Sequence, residues 1–494
     1  MKIRLEESTS FFSKFTQISD NFNMKKKYHP YLMTDIQSSH EHRNFILLTI
    51  FISSFLTAFS VYTTVISATK IGMELEMGVT TIGWVSTIFL LAAAMFQIPF
   101  GKLSDIYGRK KIYLIGVVIF TISSVLLALS STSSTFIAFR FIQGLGAALI
   151  YATGIAILTA SFPPSQRGKV IGINVTGVYV GLTLSPLLGG IMTENFGWRS
   201  QFWFNIPFGI IILFLVLLKF KGEWKSEKKE KFDYLGSIVY ALFLFFLIFA
   251  FSLLPNIQAY IFIGASLIGA VVFILWEKRI NTPLIDFALF KNNRFFKFSC
   301  LVSIFFYVST IALALLLSLF MQYLKGMSPQ EAGYILLIQP LIQAIFSPIA
   351  GRLSDKFETR ILVSVGIFIV LVGITPLLFI SPDFPVYLIA ISFGISGLGI
   401  AFFSSPNTRA IMSSIPKSSL GIGASLEGTM RTIGQILSFG ILIVIFAVII
   451  GDVKITPAYY PQFITSARLI CIVFMCLTAV SLIFSTMRGK RNID

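Results

Sequence analysis

Fourteen long apolar runs constrain this chain more than any other feature of its sequence. A helix that crosses a bilayer needs about 20 mostly apolar residues, and its backbone must satisfy its hydrogen bonds internally. The sequence therefore predicts an all-α polytopic membrane protein with fourteen spans. Their predicted positions are 44–67, 80–100, 112–130, 135–160, 169–192, 201–218, 234–254, 258–276, 298–323, 331–350, 361–380, 385–408, 421–450 and 465–486.

The composition agrees with a membrane protein. Of the 494 residues, 55% are hydrophobic and 12% are charged, whereas soluble domains carry about 25% charged residues. The three cysteines fall in or beside apolar runs, and all three histidines lie within the first 43 residues. This distribution predicts neither a disulfide framework nor a metal site, and we expect no cofactor.

The net charge of +17 reflects topology rather than a nucleic-acid partner. If both termini are cytoplasmic, 32 of the 39 Lys and Arg residues fall in cytoplasmic segments, five near outer loops and two within spans. Such an excess is the usual orientation signal of a membrane protein. We therefore expect a multi-pass protein of the plasma membrane with both termini in the cytoplasm, whose basic N-terminal tail contacts anionic lipid.

A short charged turn occurs twice. The first copy spans residues 101–111 and begins Gly-Lys-Leu-Ser-Asp; the second spans 351–360 and begins Gly-Arg-Leu-Ser-Asp, 250 residues later. Both copies lie between apolar runs. This repetition predicts two related halves of a transporter.

Three ionisable side chains fall inside predicted spans: Glu427, Arg431 and Arg140. Ionisable groups in hydrocarbon are costly, so they mark functional interiors. Glu427 and Arg431 are four residues apart and share one helix face. The pair is a candidate for proton coupling or for binding a cationic substrate, and the alternative is a structural ion pair. Arg140 is a third candidate coupling residue, and its alternative is a packed arginine that snorkels.

Small residues surround these charges in recognisable motifs. Arg140 precedes Gly144 and Gly146, and the fifth span carries small residues every fourth position with Ser185 among them. Such small residues allow helices to approach closely. The members of the fifth-span motif are Gly177, Gly181, Pro186, Gly189 and Gly190.

Together these motifs resemble the fourteen-span drug:proton antiporter branch of the major facilitator superfamily, over residues 44–486. The resemblance implies two six-helix bundles at 44–219 and 298–486, joined by a linker, 220–297, that carries helices 7 and 8. Cytoplasmic tails would occupy 1–43 and 487–494. It also implies a cavity that opens alternately to either side, and a latch between the halves at the charged turns. The candidate gating residues are Gly101, Asp105, Gly108, Arg109 and Asp355.

One position departs from the family. Relatives carry an Asp in span one, where this chain has Tyr62. Tyr, with a pKa near 10, is a poor proton carrier at neutral pH. Either Glu427 has taken over this role or coupling differs.

Aromatic and amide side chains are the candidates for the cavity wall, because aromatic faces hold lipophilic cations. The candidate residues are Tyr62, Gln143, Tyr307, Gln339, Gln343 and Phe402.

These features predict a monomeric secondary active transporter that exports lipophilic or cationic drugs in exchange for protons. The alternative is an exporter of an endogenous metabolite or lipid with weak or absent proton coupling. A non-transporting sensor or scaffold is a further alternative. The spans hold no carboxylate pair or activated nucleophile, so we do not expect an enzyme. The sequence contains no P-loop, so we do not expect ATP to drive transport directly.

Overall fold

The computed structural model describes residues 42–163, 166–220, 222–224, 231–280, 283–285, 290, 293–354, 356–414 and 420–489. Within them, fourteen helices are long and apolar enough to cross a membrane. This confirms the predicted all-α fold. The helices are α1 His42–Glu74, α2 Val79–Tyr107, α3 Arg109–Ala128, α4 Ser133–Ser161, α5 Arg167–Phe196, α6 Ser200–Lys219, α7 Tyr234–Leu253, α8 Ile257–Glu277, α9 Arg294–Leu324, α10 Pro329–Leu353, α11 Thr359–Phe379, α12 Val386–Ser413, α13 Leu420–Ile449 and α14 Pro457–Met487.

Polar side chains cap several of these helices. Thr132, Asp233 and Asn293 each accept a hydrogen bond from a backbone N–H in the first turn of the helix that follows. At the start of α10, Ser328 and Glu331 form a reciprocal capping box. Because the first N–H groups of a helix lack partners within it, these caps define where the spans begin.

The helices form two six-helix bundles, α1–α6 and α9–α14, with α7 and α8 as an inserted pair. In the first bundle α4 packs between α2 and α3, and in the second α12 packs in the same way between α10 and α11. The two charged turns share local geometry: the Ser104 hydroxyl donates to Gly101 O and the Ser354 hydroxyl donates to Gly351 O, both at 2.7 Å. The predicted repeat is thus visible as structure.

The inserted pair covers one of the two seams between the bundles. Along this seam α2 packs against α13, and α7 lies against both helices. The Tyr240 hydroxyl of α7 donates to Ala94 O of α2 at 3.2 Å. A Cβ on Gly440 of α13 would lie 2.6 Å from the Phe251 ring, so the glycine lets α7 approach. The outer helix α8 packs mainly on α7.

The second seam joins α5 to α10, where glycines bring backbones together. A Cβ on Gly190 would lie 2.7 Å from Pro329 O, and one on Gly333 would collide with Pro186 O. Both contacts lie towards the end of the bundle opposite the charged turns. We call the end that holds residues 101–111 the motif side, and the other the opposite side.

The two halves are joined at the opposite side by hydrogen bonds. Val79 N donates to Val453 O at 3.0 Å, and Thr81 donates from its backbone N and its hydroxyl to the carboxylate of Asp452, at 3.2 and 2.9 Å. Gln322 of α9 donates to Ile66 O of α1 at 3.0 Å. The assembly is therefore closed at this side.

Candidate functional site

A cavity of about 2030 Å³ lies between the halves and reaches the motif side. Lys102, Asp105, Arg109 and Arg167 line its mouth. Its far end is apolar and is lined by Ile66, Ala314 and Leu336. Because the halves touch at the opposite side and part at the motif side, the cavity is open in one direction.

Glu427 and Arg431 both line this cavity. Helix α13 starts at the motif side, so Glu427 lies nearer the mouth and Arg431 one turn deeper. Glu427 is 8% exposed and Arg431 is half-buried. Among the described residues, no hydrogen bond or ion pair joins these two groups to each other or to a third residue. The carboxylate and the guanidinium are therefore available to a ligand.

Four tyrosines line the same cavity as Arg431. They are Tyr62, Tyr151, Tyr179 and Tyr307, and each interacts electrostatically with the Arg431 guanidinium. They come from α1, α4, α5 and α9, and so from both halves. Sequence reasoning named Tyr62 and Tyr307 but missed the other two. Each of the missed tyrosines lies in an apolar span where periodicity does not identify the cavity face.

Of the remaining candidates for the cavity wall, two line the cavity and two do not. Gln339 and Gln343 of α10 line the cavity, but Gln143 and Phe402 are not among its lining residues. The cavity face of α12 instead carries Ile400, Ser404 and Thr408, spaced by four. At 3.6 residues per turn, position 402 projects from the opposite face of that helix. Gln143 is fully buried in the first half.

Arg140 is also fully buried and does not reach the cavity. Its Nη1 donates to Gln143 Oε1 at 2.6 Å and to the Ser60 hydroxyl at 3.5 Å, and its Nε donates to Val85 O at 3.3 Å. The guanidinium lies 4.7 Å from the centre of the Phe89 ring. Its Nη2 has no partner among the described residues. The structure thus separates Arg140 from Glu427, two residues that the sequence analysis grouped as coupling candidates.

Two glycines explain this burial. A Cβ on Gly144 would collide with Phe89 O of α2, and one on Gly146 would lie 2.7 Å from Phe120 N of α3. These glycines let α4 sink between its neighbours, which carries Arg140 into the core of the first half.

A second buried arginine, Arg488, was assigned to the C-terminal tail by the sequence. It is 1% exposed, and its Nη2 donates to Asn407 Oδ1 at 2.6 Å. Asn407 Nδ2 in turn donates to the Ser303 hydroxyl at 2.7 Å. Burial lowers the pKa of Arg488 to about 10, so it stays charged at neutral pH. No sequence signal identified it, because it follows the last apolar run directly and resembles a topology determinant.

The gating candidates of the first turn stay within the first half. Arg109 pairs with Asp105 at 2.8 Å and donates to Ala156 O of α4 at 3.1 Å. Gly108 has φ 112°, a backbone conformation that favours glycine. Glu223 accepts hydrogen bonds from the backbone N–H of Lys110 and Lys111, at the positive end of α3. The predicted latch between the halves is therefore not formed by Asp105 and Arg109 in this conformation.

The other gating candidates can be placed only in part. Gly101 lines the cavity mouth beside Ala152 of α4, and its counterpart Gly351 lies beside Ser405 of α12. Asp355 lies outside the described residues, as do 1–41 and 490–494 of the predicted tails.

The fifth-span motif is a packing surface. A Cβ on Gly177, Gly181 or Gly189 would lie 2.6–3.0 Å from atoms of Phe51, Phe55 or Thr63 on α1. These three glycines hold α5 against α1, and Gly190 faces α10 across the seam. Pro186 lines the cavity. Sequence reasoning identified the motif but could not distinguish its two contact faces.

Comparisons with known proteins agree with this architecture. The chain is 32% identical to the "Riboflavin transporter RibZ" of Clostridioides difficile over 78% of this chain and 85% of that protein. It is 32% identical to "Multidrug resistance protein 3" of Bacillus subtilis, over 72% and 70%. A crystal structure of a bacterial homolog of the human lysosomal transporter Spinster, in an inward-facing and unoccupied conformation, superposes with a TM-score of 0.67. That likeness, at 16% identity, covers 90% of this chain and 97% of the other.

A family model covers most of the chain. The model described as Major Facilitator Superfamily matches residues 50–439 and 298–492. The match agrees with the two bundles and with a transporter rather than an enzyme. The chain belongs to the Major Facilitator Superfamily.

Proposed function

We propose that this transporter exports lipophilic compounds, including drugs, in exchange for protons by alternating access. The observation that carries the proposal is the unpaired Glu427 and Arg431 inside a cavity that is open at one side and closed at the other. Relatives support export of drugs, since they include multidrug resistance proteins and a "Tetracenomycin C resistance and export protein" of Streptomyces glaucescens.

The basic residues indicate how the protein is oriented in the membrane. The motif side faces the cytoplasm and both termini are inside, because 32 of the 39 Lys and Arg residues then lie in cytoplasmic segments. The membrane is the plasma membrane, and the basic segments contact anionic lipid. The protein works as a monomer, with a cavity lined by both halves. In this orientation the cavity is open to the cytoplasm.

Glu427 is the proton site in this scheme. Tyr62 occupies the span-one position at which the antiporter branch that the chain resembles usually carries an Asp, and Glu427 is the one described carboxylate deep in the cavity. Proton and substrate would occupy the Glu427 region in turn. Each outward movement of substrate is then followed by inward movement of a proton.

Everted vesicles with an acidic lumen test this coupling. Addition of a transported drug should release luminal protons, measured with a fluorescent ΔpH indicator. Glu427→Gln should lower that release at least about tenfold, because the amide cannot carry a proton across. Glu76→Gln is the matched control, since Glu76 is exposed at the opposite side and its loss should leave release unchanged. Full release by Glu427→Gln would remove this carboxylate from the mechanism.

A second candidate function is export of an endogenous metabolite with weak or absent proton coupling. It is favoured by the riboflavin transporter, which is 32% identical to this chain. Transport of such a metabolite that persists unchanged in the presence of an uncoupler would support it against drug:proton exchange.

A further inference from the structure

We propose that Glu427 and Arg431 together recognise the edge of an uncharged planar aromatic ring that carries an N–H and a C=O side by side, as in a lactam or an imide. The inference rests on the proposed transport function and names the substrate class of the same cavity.

No ion pair joins the two groups, although their spacing favours one. Residues four apart on a helix are placed to form an ion pair, yet none joins Glu427 to Arg431, and both residues line the cavity. The carboxylate therefore keeps its lone pairs and the guanidinium keeps its donors. A ligand that fits between them gains two charge-assisted hydrogen bonds without breaking an existing pair.

The two groups offer complementary hydrogen bonding to a ligand. An ionised carboxylate only accepts hydrogen bonds, and a guanidinium only donates them. A cationic ligand would satisfy Glu427 but stand one turn from the positive charge of Arg431, and an anionic ligand would have the reverse problem. An uncharged edge with one donor and one acceptor satisfies both groups. The opposed charges on one helix face thus select against charged ligands of either sign.

The cavity that holds the pair is also aromatic. Tyr62, Tyr151, Tyr179 and Tyr307 line it together with Arg431. Aromatic rings stack in offset or edge-to-face arrangements, with a gain beyond the burial of area alone. A flat ring whose polar edge points to α13 presents its faces to these tyrosines. Gln343 also lines the cavity and can hydrogen-bond a further polar substituent.

Two probes that differ in one hydrogen-bond donor test the inference. 1,8-Naphthalimide is planar and uncharged and has an imide N–H between two carbonyls; its N-methyl derivative carries a methyl group in place of that donor. Both are titrated by fluorescence against the purified full chain in lipid nanodiscs at pH 7.5. The N–H compound should bind at least about tenfold more tightly, as expected for a hydrogen bond to a charged acceptor.

Variants identify the groups responsible. Glu427→Leu should reduce the preference for the N–H compound to within about twofold. Arg431→Met should weaken both compounds by a similar factor of about ten, because both keep their carbonyls. Glu76→Gln is the matched control and should bind like the wild type. If Glu427→Leu does not fold, Glu427→Gln should show a reduced but measurable preference, because its neutral carbonyl still accepts.

Equal binding of the two probes by the wild type would overturn the inference. So would an undiminished preference in folded Glu427→Leu or Glu427→Gln, or tighter binding of the planar cation ethidium than of naphthalimide. The vesicle assay separates this failure from failure of the proposed function. Proton release driven by ethidium, without a preference for the imide, leaves exchange standing and removes only the substrate class. Absence of proton release with every lipophilic compound removes the exchange function itself.

Discussion

The two halves bury arginine in the same way, whereas one of them also exposes charge to the cavity. In the first half Arg140 donates to the Gln143 amide, which donates to Ser124. In the second half Arg488 donates to the Asn407 amide, which donates to Ser303. Each chain of arginine, amide and serine is enclosed. We call them the two arginine networks.

Glu427 and Arg431 do not belong to a network of this kind. They belong to the second half, lie in the cavity and bond to none of the described residues. The comparison shows two solutions to the cost of charge in a membrane: hydrogen bonding inside a helical core, or contact with a water-accessible cavity. A charged residue in a span therefore locates a transport site only when its helix presents it to the cavity.

The cavity wall and the first arginine network should differ most in their accessibility to water. In a chain whose three native cysteines are replaced by serine, Thr408→Cys lies on the half-exposed cavity wall and Ser124→Cys lies in the first arginine network. A membrane-impermeant thiol reagent applied to the motif side should label Thr408→Cys at least about tenfold faster, since reaction requires an accessible thiolate. Labelling rates are measured by mass shift. Similar rates at the two positions would show that the first network is open to water.

The enclosed arginine and the cavity arginine should differ in their contribution to stability. Arg140→Met removes the donor of Gln143 Oε1 and the side-chain donor of Val85 O, so the free energy of unfolding should fall by about 1–3 kcal/mol. Arg431→Met removes no hydrogen bond to a described residue, only the electrostatic attraction to Glu427, and should cost less than about 1 kcal/mol. Titration with SDS, followed by circular dichroism, measures both. Equal losses would mean that Arg431 has a structural partner after all.

The sequence predicts the number of spans and the repeated turns because both depend on composition along the chain. It also places Arg140, Glu427 and Arg431 correctly inside spans. It cannot tell which way each side chain faces, because that depends on how far α4 sinks between α2 and α3 at Gly144 and Gly146. Arg488 was missed for a related reason: a long side chain after the last span can fold back into the core.

Helix ends were predicted less well than helix centres. The first span was expected at 44–67, but α1 runs His42–Glu74. Its last turns are held by contacts that sequence periodicity does not report: Glu74 binds Trp198 at 2.7 Å and pairs with Arg199. Residues from three helix ends meet there, since Arg199 also donates to Ser130 O at 3.0 Å.

The smallest effect is expected for a variant that changes how often the cavity opens to each side. It tests whether the cavity alternates while the first arginine network stays closed. Asp452→Ala removes two hydrogen bonds with Thr81 that join the halves at the opposite side. At about 1 kcal/mol net, this loss should change the ratio of the two states about fivefold. Labelling of Thr408→Cys from the motif side should slow, because the cavity then opens more often to the opposite side.

Ser124→Cys should remain unlabelled in the same Asp452→Ala background, because the first network moves with its own half and never lines the cavity. Lys454→Ala is the control: it removes only the exposed ion pair with Glu76, of 3.1 Å, and should change labelling less than about twofold, as surface pairs contribute little. If Asp452→Ala leaves Thr408→Cys labelling unchanged, these hydrogen bonds do not hold the opposite side closed. If instead it exposes Ser124→Cys, the distinction between enclosed and cavity-facing charge fails, because the first half would then open internally during transport.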